Sequence, residues 1–299
     1  MRYAKPAISF PDQIQKLKDR GLHIHSEADA LRYLSNISYY RLRAYTYPYQ
    51  DNTNPEHPFV GGVSMEDIMA LYTFDRKLRL VVFDAVEKIE VALRTQIIYQ
   101  WSMTYGSHWH LDQKLYKDHG KFIKHLASLQ KEIDRSNETF IDHYKNKYTQ
   151  PEEPPCWMSL EVTSIGLLSL LFQNLKSCPE KKAVTHHFGL LAPEILENWM
   201  HNFCHIRNIC AHHGRLWNRR IPIPIAIPRK TKAEFVTNRG VYPYKLYASL
   251  CAMTYVLSII NPESTFKQQL LEFLSTCPHG QLKEMGFPAN WQQEKFWQI

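Results

Sequence analysis

Apolar positions recur at intervals of three and four along most of this chain, and no stretch alternates convincingly enough to anchor a sheet. The longest pattern follows Ser64 and Asp67, a helix-capping pair. From there Ile68, Leu71, Tyr72, Leu78, Val82, Ala85, Val86, Ile89, Leu93 and Ile97 predict one helix to about residue 99 or 100, with no Gly or Pro inside it. On this helix Glu90 and Arg94, with Glu87 nearby, are spaced to pair one turn apart. They read either as a solvated stripe or as groups that orient side chains on a neighbouring helix.

Shorter elements flank it. Phe10-Pro11-Asp12 opens a helix that Gly21 is placed to end, and Ser26-Glu27 opens a second through Leu31, Tyr33 and Leu34. Residues 51–63, rich in Asn, Pro and Gly, read as a linker. Further helices are predicted over 121–135, 139–147, 157–175, 179–188, from Pro193 to a stop at Gly214, over 244–260, and from Pro262 to about 275. Between them, Ile221-Pro-Ile-Pro-Ile-Ala-Ile-Pro228 cannot be helical, because alternate prolines fix φ and remove donors; it predicts an extended arm or edge hairpin. The fold class is therefore all-α, with a bundle over residues 64–299 and an N-terminal helical extension over 1–63.

Composition narrows the class. With 44% apolar and 22% charged residues in 299, the chain can bury a core and is not generally disordered. The six cysteines form no CxxC pair and read as reduced. The N-terminus lacks an apolar signal core, and the longest uncharged apolar run, residues 246–260, falls short of the roughly 20 residues needed to cross a bilayer. The expectation is a cytoplasmic protein without a membrane segment.

Charge changes the picture more. Residues 201–240 carry Arg207, Arg215, Arg219, Arg220, Arg229, Lys230, Lys232 and Arg239 against Glu234 alone, a net +7 that equals the formal charge of the whole chain. Such an island suits a polyanion, most commonly nucleic acid, although a solvated basic loop has the same composition. A second candidate surface lies at residues 38–49, where Tyr39, Tyr40, Arg41 and Arg43 interleave rings that can stack on bases with cations that can hold phosphate. These tyrosines can equally dock the N-terminal segment on the bundle.

The island begins inside a helix. Ile195, Leu196, Trp199, Met200, Phe203, Ile206 and Cys210 make its inward stripe, which leaves Arg207, Asn208, His212 and His213 as polar chemistry. His201 and His205 are one turn apart, as zinc ligands can be, yet residue 202 is Asn where a metalloprotease helix has Glu, and no carboxylate lies between residues 198 and 233. Cys210 sits on the apolar stripe, where burial makes a thiol inert. No metal and no cofactor is expected.

Metal-free RNA cleavage fits better, because RNA brings its own nucleophile in the 2′-hydroxyl. Histidine can move the proton and arginine can stabilise the charge on phosphorus. Asn208 and His212 share a face and can hydrogen-bond, whereas Arg207 and His212 point about 140° apart at about 100° per residue. Either the helix unwinds near Gly214 or a two-fold-related second copy completes the site. The plainer alternative is that both are cations favouring the helix C-terminus.

Arg207-Asn208-Ile209-Cys210-Ala211-His212 resembles the motif of the HEPN superfamily of helical RNases: Arg, commonly a polar residue next, and His after four to six intervening residues. The longer stretch through Arg220 is similar to the AbiD/AbiF abortive-infection family of bacterial anti-phage proteins. So are Arg32-Tyr-Leu-Ser-Asn-Ile-Ser-Tyr-Tyr-Arg-Leu42, Phe74-Asp-Arg-Lys-Leu-Arg79 with Glu90-Val-Ala-Leu-Arg94, and Gly286-Phe-Pro-Ala-Asn-Trp291, in order along nearly the whole chain. The resemblance implies a HEPN-like helical bundle, often a homodimer, that cleaves RNA without metal and leaves a cyclic phosphate. Arg207 and His212 take the catalytic positions and Asn208 that of the polar residue. His213, Arg215, Arg219 and Arg220, with Tyr39, Tyr40, Arg41 and Arg43, are the RNA-binding candidates, and a small structured RNA is implied as a regulatory partner. Two other functions stay open: an RNA-holding protein that grips a phosphate at Arg207 and His212 without cleaving, and a helical interaction protein for an acidic partner.

Overall fold

Ser9, Ser26 and Ser64 each start a helix by accepting a backbone N–H three residues on, in a computed structural model that describes residue 2, residues 6–238 and residues 240–298. Met1, Tyr3, Ala4, Lys5, Arg239 and Ile299 lie outside the described residues, so part of the N-terminal reading and one cation of the basic island do too. Among the described residues the chain is all-α, with twelve α-helices and no strand. The chain forms two units, Met1–Leu78 with Leu274–Leu282, and Arg79–Phe273 with Lys283–Ile299.

In the first unit, α1 (Phe10–Asp19) buries Ile14 and Leu17, α2 (Glu27–Ile37) buries Ala30 and Leu34, and α3 (Tyr39–Thr46) buries Leu42 and Tyr45. The first turns of α4 (Met65–Tyr105) add Ile68 and Leu71, both fully buried. Tyr45 is fixed by its hydroxyl, which donates to Asp75 Oδ2 at 2.6 Å in the core.

The rest of α4 enters the second unit. Its stripe is buried as the periodicity requires, and the helix runs on past the expected end, burying Trp101 as well. Trp101 lies 5.6 Å from Trp109 and 6.2 Å from Phe172. Burial of this kind contributes about 1.5–3 kcal/mol per large apolar side chain. α5 (His119–Arg135) and α6 (Thr139–Lys147) follow as expected.

The apolar run 157–175 departs from expectation: it is two helices, α7 (Cys156–Ser159) and α8 (Ile165–Asn174). The break has a partner. The Arg94 guanidinium, paired with Glu90 at 2.8 Å, donates to the carbonyls of Leu160 and of Thr163, the latter at 2.7 Å. Backbone acceptors that a continuous helix would use internally are thus bonded to a buried cation. Glu132 completes the turn by accepting from Ser164 N at 2.7 Å and Ser164 Oγ at 2.8 Å. The Glu90–Arg94 pair is therefore structural, clamping a loop.

α9 (Pro179–His187) ends at Gly189 with φ 73°, and α10 (Pro193–Ala211) packs chiefly on α8. α11 (Leu246–Ile260) is buried from Leu246 through Leu257, which makes it central to this unit. α12 (Phe266–Ser275) starts four residues later than Pro262 suggested, after a turn closed by Ser264 N donating to the Asn261 carbonyl. The C-terminal segment docks on α11: Phe287 lies 4.6 Å from the Tyr247 ring, and Trp297 Nε1 donates to Tyr247 Oη at 3.0 Å. No helix among the described residues is long and apolar enough to cross a membrane.

Candidate functional site

α10 carries the arginine–histidine motif, and its apolar stripe fixes which polar residues emerge. Leu196, Trp199, Met200, Phe203, Ile206 and Cys210 are buried, so Asn208 and His212 are exposed and Arg207 is left half-buried on the flank.

The helix stays regular past Arg207. His212 is its C-cap (φ −90°, ψ 15°), and the His212 N–H donates to the Asn208 carbonyl at 3.0 Å. The helix therefore does not unwind between Arg207 and His212; of the two arrangements read from the sequence, unwinding near Gly214 or a second copy of the site, the first occurs only beyond both residues. The chain turns one residue later: His213 takes φ 55°, its N–H donates to the Cys210 carbonyl at 3.1 Å, and Gly214 N–H donates to the Ile209 carbonyl at 2.8 Å. This is the Schellman pattern, with His213 in the left-handed position that usually favours glycine. Gly214 serves as the next residue, where a Cβ would come within 3.3 Å of the Ile209 carbonyl oxygen. The helix stop read at Gly214 is thus shared, and the strained residue is the histidine.

Arg207 points away from His212. Its guanidinium carbon lies 5.8 Å from the Phe83 ring centre, and Nη1 donates to Asn208 Oδ1 over a long 3.5 Å. It lines an open cleft of about 690 Å³ with Glu90, Glu132, Arg135, Glu138 and Glu161. Asn208 Nδ2 reaches Cys204 Sγ at 3.8 Å, so the side-chain partners of Asn208 are Arg207 and Cys204, while its backbone holds His212. Burial pushes the Cys204 thiol above its usual pKa; Arg207 opposes that shift and Glu90 adds to it. Such a thiol is a poor nucleophile.

The basic island is organised as well. Residues 221–228 are an extended arm, with neither helix nor strand, strapped along α10. Asn198 Nδ2 donates to the Pro224 carbonyl at 3.0 Å, Asn198 Oδ1 accepts from Ala226 N at 2.7 Å, Trp199 Nε1 donates to the Ala226 carbonyl at 2.8 Å, and Asn202 Nδ2 donates to the Ile223 carbonyl at 2.7 Å. Ile221 and Ile225 N–H groups bond the carbonyls of Tyr244 and Pro243 on the other side. Prolines remove arm donors, and α10 side chains satisfy what remains.

Cations sit at both ends of this strap. Arg220 stacks 4.1 Å over Tyr244 and donates to Tyr242 Oη at 3.0 Å, whereas Lys232 donates to the His186 carbonyl at 2.8 Å. Arg215 and Arg219 are half-buried near the helix end, and His213 is exposed there. Phe83, Asn198, Asn202, Tyr242 and Tyr244 hold these elements and were not singled out by spacing. A usable signal was present for one of them: Asn202 is a polar residue at an inward position, and it is fully buried.

Tyr39, Tyr40, Arg41 and Arg43 belong to the first unit. Tyr40 is 83% exposed, and Arg41 and Arg43 are exposed beside it; Tyr39 is half-buried and accepts from Arg20 Nη1 at 3.3 Å. Tyr47 is 55% exposed, whereas Tyr45 is core. The tyrosines thus divide between docking and display.

Among the described residues no group of three or more His, Cys, Asp or Glu side chains is arranged to hold a metal ion, and His201 and His205 have no third donor. No curated protein and no solved structure gives a significant match to this chain. A family model described as Abi-like protein matches residues 32–218, well over half of the chain and the whole span from the Tyr–Arg surface to the end of the arginine–histidine motif. This chain belongs to the Abi-like family of abortive-infection proteins.

Proposed function

We propose that this protein is a metal-independent endoribonuclease of anti-phage abortive infection, of the AbiD/AbiF type within the HEPN superfamily, working in the cytoplasm as a homodimer. The observation that carries the reading is the end of α10, where His212 and His213 are exposed to solvent five and six residues beyond Arg207, at the start of a strapped run of cations. In this reading His212 removes the proton from a ribose 2′-hydroxyl, and the 2′-oxygen attacks the adjacent phosphorus. The bond from phosphorus to the 5′-oxygen breaks, a 2′,3′-cyclic phosphate forms, and the leaving oxygen takes up a proton. Arg207, charged at every relevant pH, stabilises the extra charge on the phosphoryl oxygens. General acid–base catalysis contributes about 10²–10⁴ in rate, and charge stabilisation about 10²–10³. Asn208 is a positioning residue between the two. His213, Arg215, Arg219 and Arg220 hold the strand. Tyr40, Arg41 and Arg43, on the first unit, are a separate RNA-binding surface, for which a small structured regulatory RNA is a candidate occupant.

One observation favours a second reading. Arg207 and His212 diverge on a single copy of the chain, which suits a protein that grips RNA at separate points without cutting it. Labelled RNA incubated with purified protein in EDTA separates the two. Cleavage that persists, and that falls at least about 100-fold in both Arg207→Ala and His212→Ala, supports the enzyme. Binding without cleavage in the wild type supports the holding protein.

A further inference from the structure

The cleft of about 690 Å³ that Arg207 lines is within the roughly 300–1,000 Å³ of pockets that take a small ligand, and it lies wholly in the second unit. One of its walls is held from behind. Arg94 bonds the carbonyls of Leu160 and Thr163, and Glu132 accepts from both Ser164 N and Ser164 Oγ, so the turn that carries Glu161 is fixed on either side. Phe140, half-buried in the first turn of α6, adds an aromatic side chain to the lining.

The carboxylates of the cleft divide into two kinds. Glu90 pairs with Arg94 at 2.8 Å and Glu132 is taken up by Ser164, whereas Glu138 and Glu161 are exposed, and their carboxylates make no hydrogen bond or ion pair among the described residues. Glu138 stands at the N-cap of α6 without capping it. Among the described residues no three of these groups converge as metal ligands. Carboxylates repel phosphate, so a strand whose phosphate meets Arg207 has one kind of part suited to the rest of the cleft, an uncharged base with N–H donors.

We propose that this cleft is a nucleobase pocket selective for guanine, in which Glu161 accepts from the Watson–Crick edge of the base and Phe140 stacks on its face. The inference rests on the RNA-cleaving reading and deepens it, making Glu161 a specificity-determining residue for the nucleotide beside the scissile phosphate. A carboxylate sets two acceptor oxygens side by side. Guanine alone offers two adjacent N–H donors, N1–H and N2–H, on that edge. Adenine and cytosine set one amino group beside a ring-nitrogen acceptor, and uracil sets one N–H between two carbonyls. Glu161 fits this role better than Glu138 because a paired contact needs a carboxylate on a fixed backbone, which the Arg94 and Glu132 contacts supply.

Uridine decamers carrying a single guanosine, moved along the strand, test the pocket. Wild-type protein in EDTA is expected to cut the bond on one fixed side of the guanosine wherever it stands. Inosine in its place lacks only the 2-amino group and is expected to lower kcat/KM roughly tenfold, the size of one charge-assisted hydrogen bond. In Glu161→Gln, with folding checked by circular dichroism, the preference for guanosine over adenosine is expected to fall about 10- to 100-fold and the inosine penalty to vanish. Phe140→Leu should raise KM for guanosine and adenosine decamers alike. Cutting that does not follow the guanosine, or no inosine penalty in the wild type, overturns the pocket and leaves the nuclease standing; neither result depends on a variant that folds. An inosine penalty undiminished in folded Glu161→Gln overturns the pocket as well. Wild-type protein that cuts none of the decamers overturns this inference together with the reading beneath it.

Discussion

Arg207 and His212 stand about 140° apart around one unbroken helix, since the His212 N–H still donates to the Asn208 carbonyl at 3.0 Å. A single copy of α10 cannot aim both side chains at one phosphate. In the homodimer proposed here, one copy's Arg207 works with its partner's His212. Mixing Arg207→Ala with His212→Ala protein under conditions of subunit exchange then leaves about half the dimers with one intact pair, and restores about a quarter of wild-type cleavage. Exchange, followed by size and mass, without any recovered activity would exclude this arrangement.

His213 carries strain that a glycine would not. Held at φ 55° in a Schellman turn, it costs about 1 kcal/mol relative to a residue without Cβ. His213→Gly is expected to move the urea midpoint up by an amount worth about 0.5–1 kcal/mol while weakening RNA binding. A variant that is less stable and binds RNA normally would show that the histidine is kept for packing.

Stability should fall on acidification, and His110 is the sharpest contributor. It is 1% exposed, neither ring nitrogen has a hydrogen-bond partner among the described residues, and burial, aided by His108, pushes its pKa down to about 3 from 6.5. Between those values the unfolded chain binds the extra proton, so stability is present above 6.5 and is lost as pH falls through this window, by at most about 1.4 kcal/mol per unit. His125, His187 and His205 are shifted the same way, chiefly by burial. Urea titrations between pH 7.5 and 5 should show a shallower slope in His110→Phe than in wild type; equal slopes would assign the sensitivity elsewhere.

Tyr40 and its flanking arginines should separate by salt. Stacking is worth about 1–3 kcal/mol per base and releases no counterions, so Tyr40→Ala should weaken RNA binding with the salt slope unchanged. Arg41→Gln or Arg43→Gln should lower that slope by about 0.7 each. Fluorescence anisotropy across a salt series reads both, and unchanged binding in all three variants would return this surface to a packing role.

Local periodicity and caps carried much of the fold. The inward positions read between Ile68 and Ile97 are buried, except that Tyr72 is half-buried, because a long amphipathic pattern has few alternatives, and α6 kept its expected ends. The split of 157–175 was hidden because its cause is Arg94, 66 residues from Leu160 in sequence, and no local pattern records a distant donor. The proline arm was legible as non-helical, yet its attachment depends on Asn198, Trp199 and Asn202 across 21 to 28 residues. For the motif, helical angle alone anticipated that Arg207 and His212 diverge. The left-handed His213 was not legible, since Gly214 beside it is the commoner residue for that role.

Metal-free cleavage by the RNA's own 2′-oxygen is the central claim, and one measurement addresses it directly. A labelled RNA is incubated with the protein in excess EDTA, beside the same RNA carrying a single 2′-deoxyribose on the 5′ side of the cut. The account predicts cleavage of the first to a 2′,3′-cyclic phosphate and none of the second at that position. Cleavage of the deoxy-substituted RNA at the same bond, or activity that vanishes with EDTA and returns with a divalent cation, would contradict it.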